Sequence, residues 1–148
     1  MADIELVRKL REETQASIAD CRKALEESGG DYKKATLWLA KRGAEIAEKK
    51  ADRQTSQGLV EAYVHSGKVG VLVTLACETD FVARTEEFKN LAHEIALQVS
   101  AMNPKDVSEL LKQEYIRDAS VTIESLIKQT IGKLGENIVV KEFSRLEL

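Results

Sequence analysis

The apolar pattern of this chain changes period twice, and those changes limit what it can fold into. Over residues 4–43 apolar side chains recur every three or four positions, the spacing of one helix face. From Val60 to Cys77 the period is two. Val60, Ala62 and Val64 alternate with Glu61, Tyr63 and His65; Val69, Val71, Val73, Leu75 and Cys77 then alternate with Gly70, Leu72, Thr74 and Ala76. Ser66-Gly67 between the two runs is a turn signal, so they read as one β-hairpin with a strongly apolar face. Helical spacing then returns. Phe88, Leu91, Ala92, Ile95, Val99 and Met102 form one buried stripe that stops at Asn103-Pro104. Neither an all-helical bundle nor an all-β sandwich accommodates this order.

The N-terminal stretch divides into three short helices. Ile4, Val7 and Leu10 mark the first; Ile18, Cys21 and Leu25 mark the second, which Gly29-Gly30 ends. Asp31 is placed to cap the third, whose Ala35, Trp38 and Leu39 precede an expected stop near Gly43. Residues 45–57 are dense in charge and read as a helical extension fading into a linker. Beyond Pro104, residues 106–116 read as a short helix plus a connector. Ile123, Leu126, Ile127, Ile131 and Leu134 then mark a last helix, with Gly135 as its C-terminal cap. Residues 137–148 read as a third strand whose alternation breaks at Lys141-Glu142, the mark of a bulge or an edge. The predicted fold is α+β: three helices, then a three-stranded antiparallel sheet with helices on one face. Three strands leave two open edges, so pairing with a second copy, by edge or by face, is expected.

Composition narrows the function classes. At 148 residues the chain can bury roughly 70% of its unfolded surface, enough for a real core. A net charge of −3 gives no electrostatic case for nucleic acid, and no basic stripe with interleaved aromatics is present. Cys21 and Cys77 lie far apart and read as buried free thiols in a reducing compartment. No apolar run reaches the ~20 residues of a membrane span. The acidic start, Met1 to Glu5, is unlike a signal peptide, so a cytoplasmic protein is predicted, with no membrane partner. There is no phosphate-loop motif, Gly-rich dinucleotide turn or Gly-x-Ser-x-Gly elbow, and neither His65 nor His93 has a catalytic setting. The expectation is a binding protein, not an enzyme, with no metal and no cofactor.

One corner stands out. Thr79-Asp80-Phe81-Val82 joins the second strand of the hairpin to the long helix. Such a corner ordinarily holds a capping aspartate and a core phenylalanine. Phe81 beside charged Asp80 is equally a candidate wedge for another protein.

The run Ala76-Cys77-Glu78-Thr79-Asp80-Phe81-Val82-Ala83-Arg84 resembles the signature of elongation factor Ts, the guanine-nucleotide exchange factor for elongation factor Tu in bacteria and their organelles. Leu10-Arg11-Glu12, Asp20 to Leu25, Lys41 to Ala44 with Glu48 to Ala51, and Gly135-Glu136-Asn137-Ile138 match further family runs in the right order, so the likeness covers nearly the whole length. It implies a ubiquitin-associated-like three-helix domain at 1–44, a charged extension at 45–57 and an α+β dimerisation core at 58–148. It implies that the Asp80-Phe81 pair enters the nucleotide-binding domain of elongation factor Tu and loosens GDP, in the cytoplasm or an organelle's stroma or matrix. Thr79 and Val82 belong to the same contact. The likeness adds Leu134 and Gly135 beside it, Arg22 and Lys23 on the N-terminal helices, and His65 on a β-barrel domain of elongation factor Tu. GDP-bound and nucleotide-free forms are both expected partners.

Two departures accompany the likeness. Gln15 and Ser17 stand where the family usually has glycine. Longer members carry two related core units, whereas one is visible here, so a homodimer, able to form a 2:2 complex, is expected to supply the missing half. A different class of reading keeps Phe81 in the core and makes the chain a scaffold at the ribosome or on nascent chains, bound through residues 4–43.

Overall fold

Each N-terminal helix begins after a polar residue whose side chain caps it, and for the third this is the expected Asp31. The computed structural model describes residues 2–148, so Met1 lies outside the described residues. Helix α1 (Ile4–Thr14) starts at Asp3, whose carboxylate accepts the Glu5 N–H at 2.8 Å. Helix α2 (Ile18–Glu27) starts at Ser17, and α3 (Tyr32–Lys50) at Asp31, each side chain accepting an N–H from the first turn. Val7, Leu10, Cys21, Ala24, Leu25, Ala35 and Leu39 close into a small core of their own. Ile4 and Ile18, expected on the apolar faces, are instead exposed at the helix starts.

Both departures from glycine fall at the α1–α2 turn. Gln15 takes the left-handed conformation, with φ of 58°, and donates its N–H to the Arg11 carbonyl at 2.8 Å. A glycine would hold that geometry without the Cβ clash. Ser17 has ordinary extended dihedrals and contributes a capping oxygen that glycine lacks.

The expected stop near Gly43 is corrected by the structure: α3 runs unbroken to Lys50. Gly43 is a packing residue, not a breaker. Helix α7 (Ile123–Leu134) crosses α3 there so closely that a Cβ added to Gly132 would lie 2.7 Å from the Gly43 Cα. Ala47, in the charged extension, enters the larger core of the chain. The first part of the extension, to Lys50, is therefore helix packed on its inner side, and the rest is a turn and connector leading into β1.

That larger core lies against one face of a three-stranded antiparallel sheet. β1 (Gln57–His65) pairs with β2 (Val69–Cys77), and β2 pairs with β5 (Ile138–Glu147), in the order β1-β2-β5. The bulge falls where the alternation breaks: Val140 faces Leu75 and Glu142 faces Thr74, leaving Lys141 as the extra residue. α4 (Asp80–Ala83), α5 (Glu86–Met102), α6 (Val107–Lys112) and α7 supply the other side of the core. Val73, Leu75, Phe88, Ile95, Leu110 and Ile123 are among its fully buried side chains.

The opposite sheet face is uncovered and, beside Thr74, Glu142 and Ser144, carries large apolar side chains. Val60, Val64, Leu72 and Leu146 on it are all more than half exposed. An antiparallel sheet with a solvated face normally puts polar side chains there.

The short helix expected within 106–116 is α6, but a second ribbon follows it. β3 (Glu114–Tyr115) pairs with β4 (Asp118–Thr122), held by buried Gln98, which accepts the Ile116 N–H and donates to the Glu114 carbonyl, both at 3.0 Å. A two-residue strand has no periodicity to read, and its position is held by Gln98 and Glu94 of α5.

Candidate partner-binding site

The corner after β2 puts its charged and aromatic residues outside and its aliphatic ones inside. Thr79, not Asp80, caps α4: its Oγ1 accepts the Val82 N–H at 3.4 Å. Asp80 is freed from capping and pairs with Arg84 one turn on, both side chains largely exposed. Phe81 is 88% exposed. Val82 and Ala83 are buried in the large core and anchor the turn from below. The ordinary expectation of a capping Asp80 over a core Phe81 does not hold, and the scaffold reading, which required it, loses its basis.

The corner is fastened on its inner side by residues from the α7–β5 junction. Thr79 donates its N–H and its hydroxyl to the two oxygens of Glu136, at 2.9 and 2.6 Å. In return the Asn137 N–H donates to Glu78 at 2.6 Å. The Asn137 side-chain amide donates to the Ala51 and Arg53 carbonyls at 3.3 and 3.0 Å, and Arg53 faces Glu78 at 3.4 Å. The Cys77 thiol donates to the Thr79 carbonyl at 3.1 Å. Burial pushes that thiol's pKa up, and the negative Glu136 nearby pushes in the same direction, so Cys77 stays protonated as a donor.

Leu134 and Gly135 lie at the same junction. Gly135, with φ of 76°, donates its N–H to the Ile131 carbonyl at 2.8 Å and turns the chain so that Glu136 reaches Thr79. The structure thus brings Thr79, Asp80, Phe81, Leu134 and Gly135 to one end of the sheet. It does not bring His65 there. His65 pairs with Val69 at the far end of β2, whereas Cys77 precedes the corner. At ~3.4 Å per residue the two ends of that strand lie about 27 Å apart. The His65 ring nitrogen Nδ1 is 2.9 Å from the Tyr63 hydroxyl. Arg22 and Lys23 are on the exposed side of α2, and the Lys23 ammonium lies 6.0 Å from the Trp38 ring centroid.

Sequence reasoning did not assign Glu78, Arg84, Glu136 or Asn137 a role. All four lie within the quoted runs 76–84 and 135–138, but their partners are 25 or more residues away or one helical turn on. Among the described residues no group of three or more His, Cys, Asp or Glu side chains could hold a metal ion, and no helix is long and apolar enough to cross a membrane.

Comparison with known proteins gives one answer. The family model described as elongation factor TS matches residues 78–148. Elongation factor Ts of Coprothermobacter proteolyticus is 45% identical, covering 97% of this chain and 96% of its own length. The proteins of the same name from Rippkaea orientalis and Thermotoga petrophila are each 42% identical, covering 100% and 98% of this chain and 79% and 95% of their own lengths. The alignment with the C. proteolyticus protein spans 189 positions, more than the 148 residues here, so that relative carries segments this chain lacks.

Proposed function

This chain belongs to the elongation factor Ts family, and on that premise we propose that it is a guanine-nucleotide exchange factor for elongation factor Tu that promotes GDP release in translation elongation. The observation that carries the reading is Phe81: a large aromatic, 88% exposed, on a corner anchored beneath by Val82 and Ala83. Phe81 inserts between helices of the nucleotide-binding domain, and Asp80 adds a polar contact beside it, released from or shared with Arg84. Shifting those helices disturbs the phosphate loop and the Mg²⁺ site of elongation factor Tu, on whose backbone N–H groups and ionic charge tight GDP binding depends. Leu134 and Gly135 extend the contact, while the N-terminal helices dock separately through Arg22 and Lys23. No acid, base or bound metal of this chain is needed, because exchange redistributes binding energy between states. Each ~1.4 kcal/mol of coupling changes GDP affinity about tenfold, and nucleotide weakens binding of the factor by the same amount. Bacterial relatives and the absence of a membrane-crossing helix among the described residues favour the cytoplasm.

The uncovered sheet face supports a homodimer packed face to face. Val64, Gly70 and Leu146 form one cross-strand row, and Ala62, Leu72 and Ser144 the next. Val64, Leu72 and Leu146 make these rows largely apolar, with Ser144 the one polar side chain in them, and a second copy is the occupant that matches them. A two-fold axis that reverses the strand direction sets the His65 end of one subunit over the corner end of the other, as a 2:2 complex requires. Leu72→Lys should give a folded monomer in sedimentation equilibrium; an unchanged dimer would remove this face from the interface.

The direct test is stopped-flow release of a fluorescent GDP analogue from elongation factor Tu. Release should accelerate with increasing concentrations of this protein and saturate. No binding and no acceleration would refute the exchange reading.

A further inference from the structure

We propose that Glu136, assisted by Glu78, is a positioning residue that holds the Asp80–Phe81 turn and the Leu134–Gly135 cap as one rigid contact surface; the inference rests on the exchange reading above. A turn of four residues cannot hold its own shape, because helix formation needs more bonds than one turn supplies. The Phe81 side chain is 88% exposed, so its direction depends on how the backbone beneath it is fixed.

Two carboxylates fix that backbone, and they cross. Glu136, from the far side of the junction, spends both oxygens on Thr79, the capping residue of the turn, at 2.9 and 2.6 Å. Glu78, from the near side, accepts the Asn137 N–H at 2.6 Å. The Glu78 side chain is 16% exposed and the Asn137 residue 5%. A bond from N–H or O–H to an ionised oxygen is short and roughly twice as strong as a neutral one, so the pair resists shear between the two junctions. The Asn137 amide extends the tie to the Ala51 and Arg53 carbonyls just beyond α3, which leads back to the N-terminal helices. The corner, the helix cap and the base of the docking helices thus meet at one knot of hydrogen bonds. Core packing needs none of this, since Val82 and Ala83 already bury the turn.

The test uses Glu136→Ala, Glu136→Gln and Thr79→Val with Thr79→Val/Glu136→Ala, each in the full chain. Glutamine can accept the Thr79 N–H and donate to its hydroxyl, whereas alanine loses both bonds. In the release assay Glu136→Ala should lower the maximal rate about tenfold. Its half-saturating concentration should hold within about threefold, because the N-terminal helices still dock. Glu136→Gln should recover most of the rate, and the double variant should be no worse than either single one. A second readout needs no partner. 4-Fluorophenylalanine replaces the three phenylalanines, and the ¹⁹F resonance of exposed Phe81 should shift or change width in Glu136→Ala while those of Phe88 and Phe143 stay put. Wild-type rates and an unmoved Phe81 signal in Glu136→Ala would overturn the positioning role, as would additive losses that follow melting temperature. If the wild type itself fails to speed GDP release but the Phe81 signal still moves, the exchange reading falls and the positioning role stands.

Discussion

Replacing Phe81 with alanine separates contact from core. A phenylalanine side chain presents on the order of 200 Å². At 88% exposure, about 25 Å² of it is buried in the free protein, worth ~0.6 kcal/mol at about 25 cal/mol per Å². A core Phe→Ala costs ~3–5 kcal/mol by comparison. For a chain of this size the expected loss moves the melting temperature by less than about 3 °C. On docking, the remaining ~175 Å² leaves water, an upper limit of ~4 kcal/mol before the cost of ordering the ring. A realised loss of ~2.7 kcal/mol would reduce stimulated GDP release about a hundredfold. The assay is stopped-flow release of a fluorescent GDP analogue at matched concentrations, with circular dichroism melts of each protein alone. A mutant that melts more than about 10 °C early would place Phe81 in the core energetics despite its exposure. A well-folded mutant with wild-type stimulation would show that the wedge lies elsewhere.

Four further outcomes follow from local geometry. Gly132→Ala puts a Cβ 2.7 Å from the Gly43 Cα and should cost ~1–3 kcal/mol in denaturant unfolding. Gly43→Ala meets its nearest neighbours at an ordinary 3.8 Å and should be neutral or gain up to ~1 kcal/mol from helix propensity. Gln15→Gly should raise stability by up to ~1 kcal/mol by relieving the left-handed turn at φ 58°, read as a shifted urea midpoint. Burial first, and then its bond to Glu94, pushes the Tyr115 phenol up to about 12 from 10.0, so the folded state favours the neutral form. That stabilisation is fully present below pH 10 and is lost as pH rises through about 12, so Tyr115→Phe should flatten the alkaline fall in melting temperature over that window.

The elements with a clean period were legible in the sequence. The hairpin, the α5 stripe from Phe88 to Val99, the Gly135 cap and the Lys141 bulge each declare themselves through spacing or a turn residue. Met102, however, is half exposed, and the apolar sets of β1 and β2 fall on opposite faces of the sheet, not on one. Gly43 misled because a glycine late in a helical run reads as a stop, and the sequence does not reveal that Gly132 crosses it. At the corner, local rules favoured Asp80 as the cap, but Thr79 also has a capping oxygen and stands one residue earlier, after a strand that must end at Cys77. Once Thr79 caps, Phe81 falls on the outer side of the turn and Val82 on the inner. The Glu136–Thr79 tie was illegible for a different reason: 57 residues separate its ends, and only the sheet, with β2 beside β5, brings them together.

The single strand β2 carries the argument for the proposed second copy. Its inward residues Val71, Val73, Leu75 and Cys77 complete the core, so that face is closed. Its outward residues Gly70, Leu72 and Thr74 lie between those of β1 and β5 on the uncovered face, whereas Ala76 at the corner end is buried. Its last residue launches the corner, while its first lies beside His65, about 27 Å away by strand length. In the proposed complex, one subunit alone would therefore present Phe81 and His65 at opposite ends of its sheet. Covering the apolar face with a second copy of reversed strand direction removes that face from water and sets the histidine of one subunit near the wedge of the other. If dimerisation and exchange are linked in this way, Leu72→Lys should weaken stimulated GDP release even though Leu72 touches neither end of the strand. A monomeric variant with full activity would show that the wedge and its docking helices suffice.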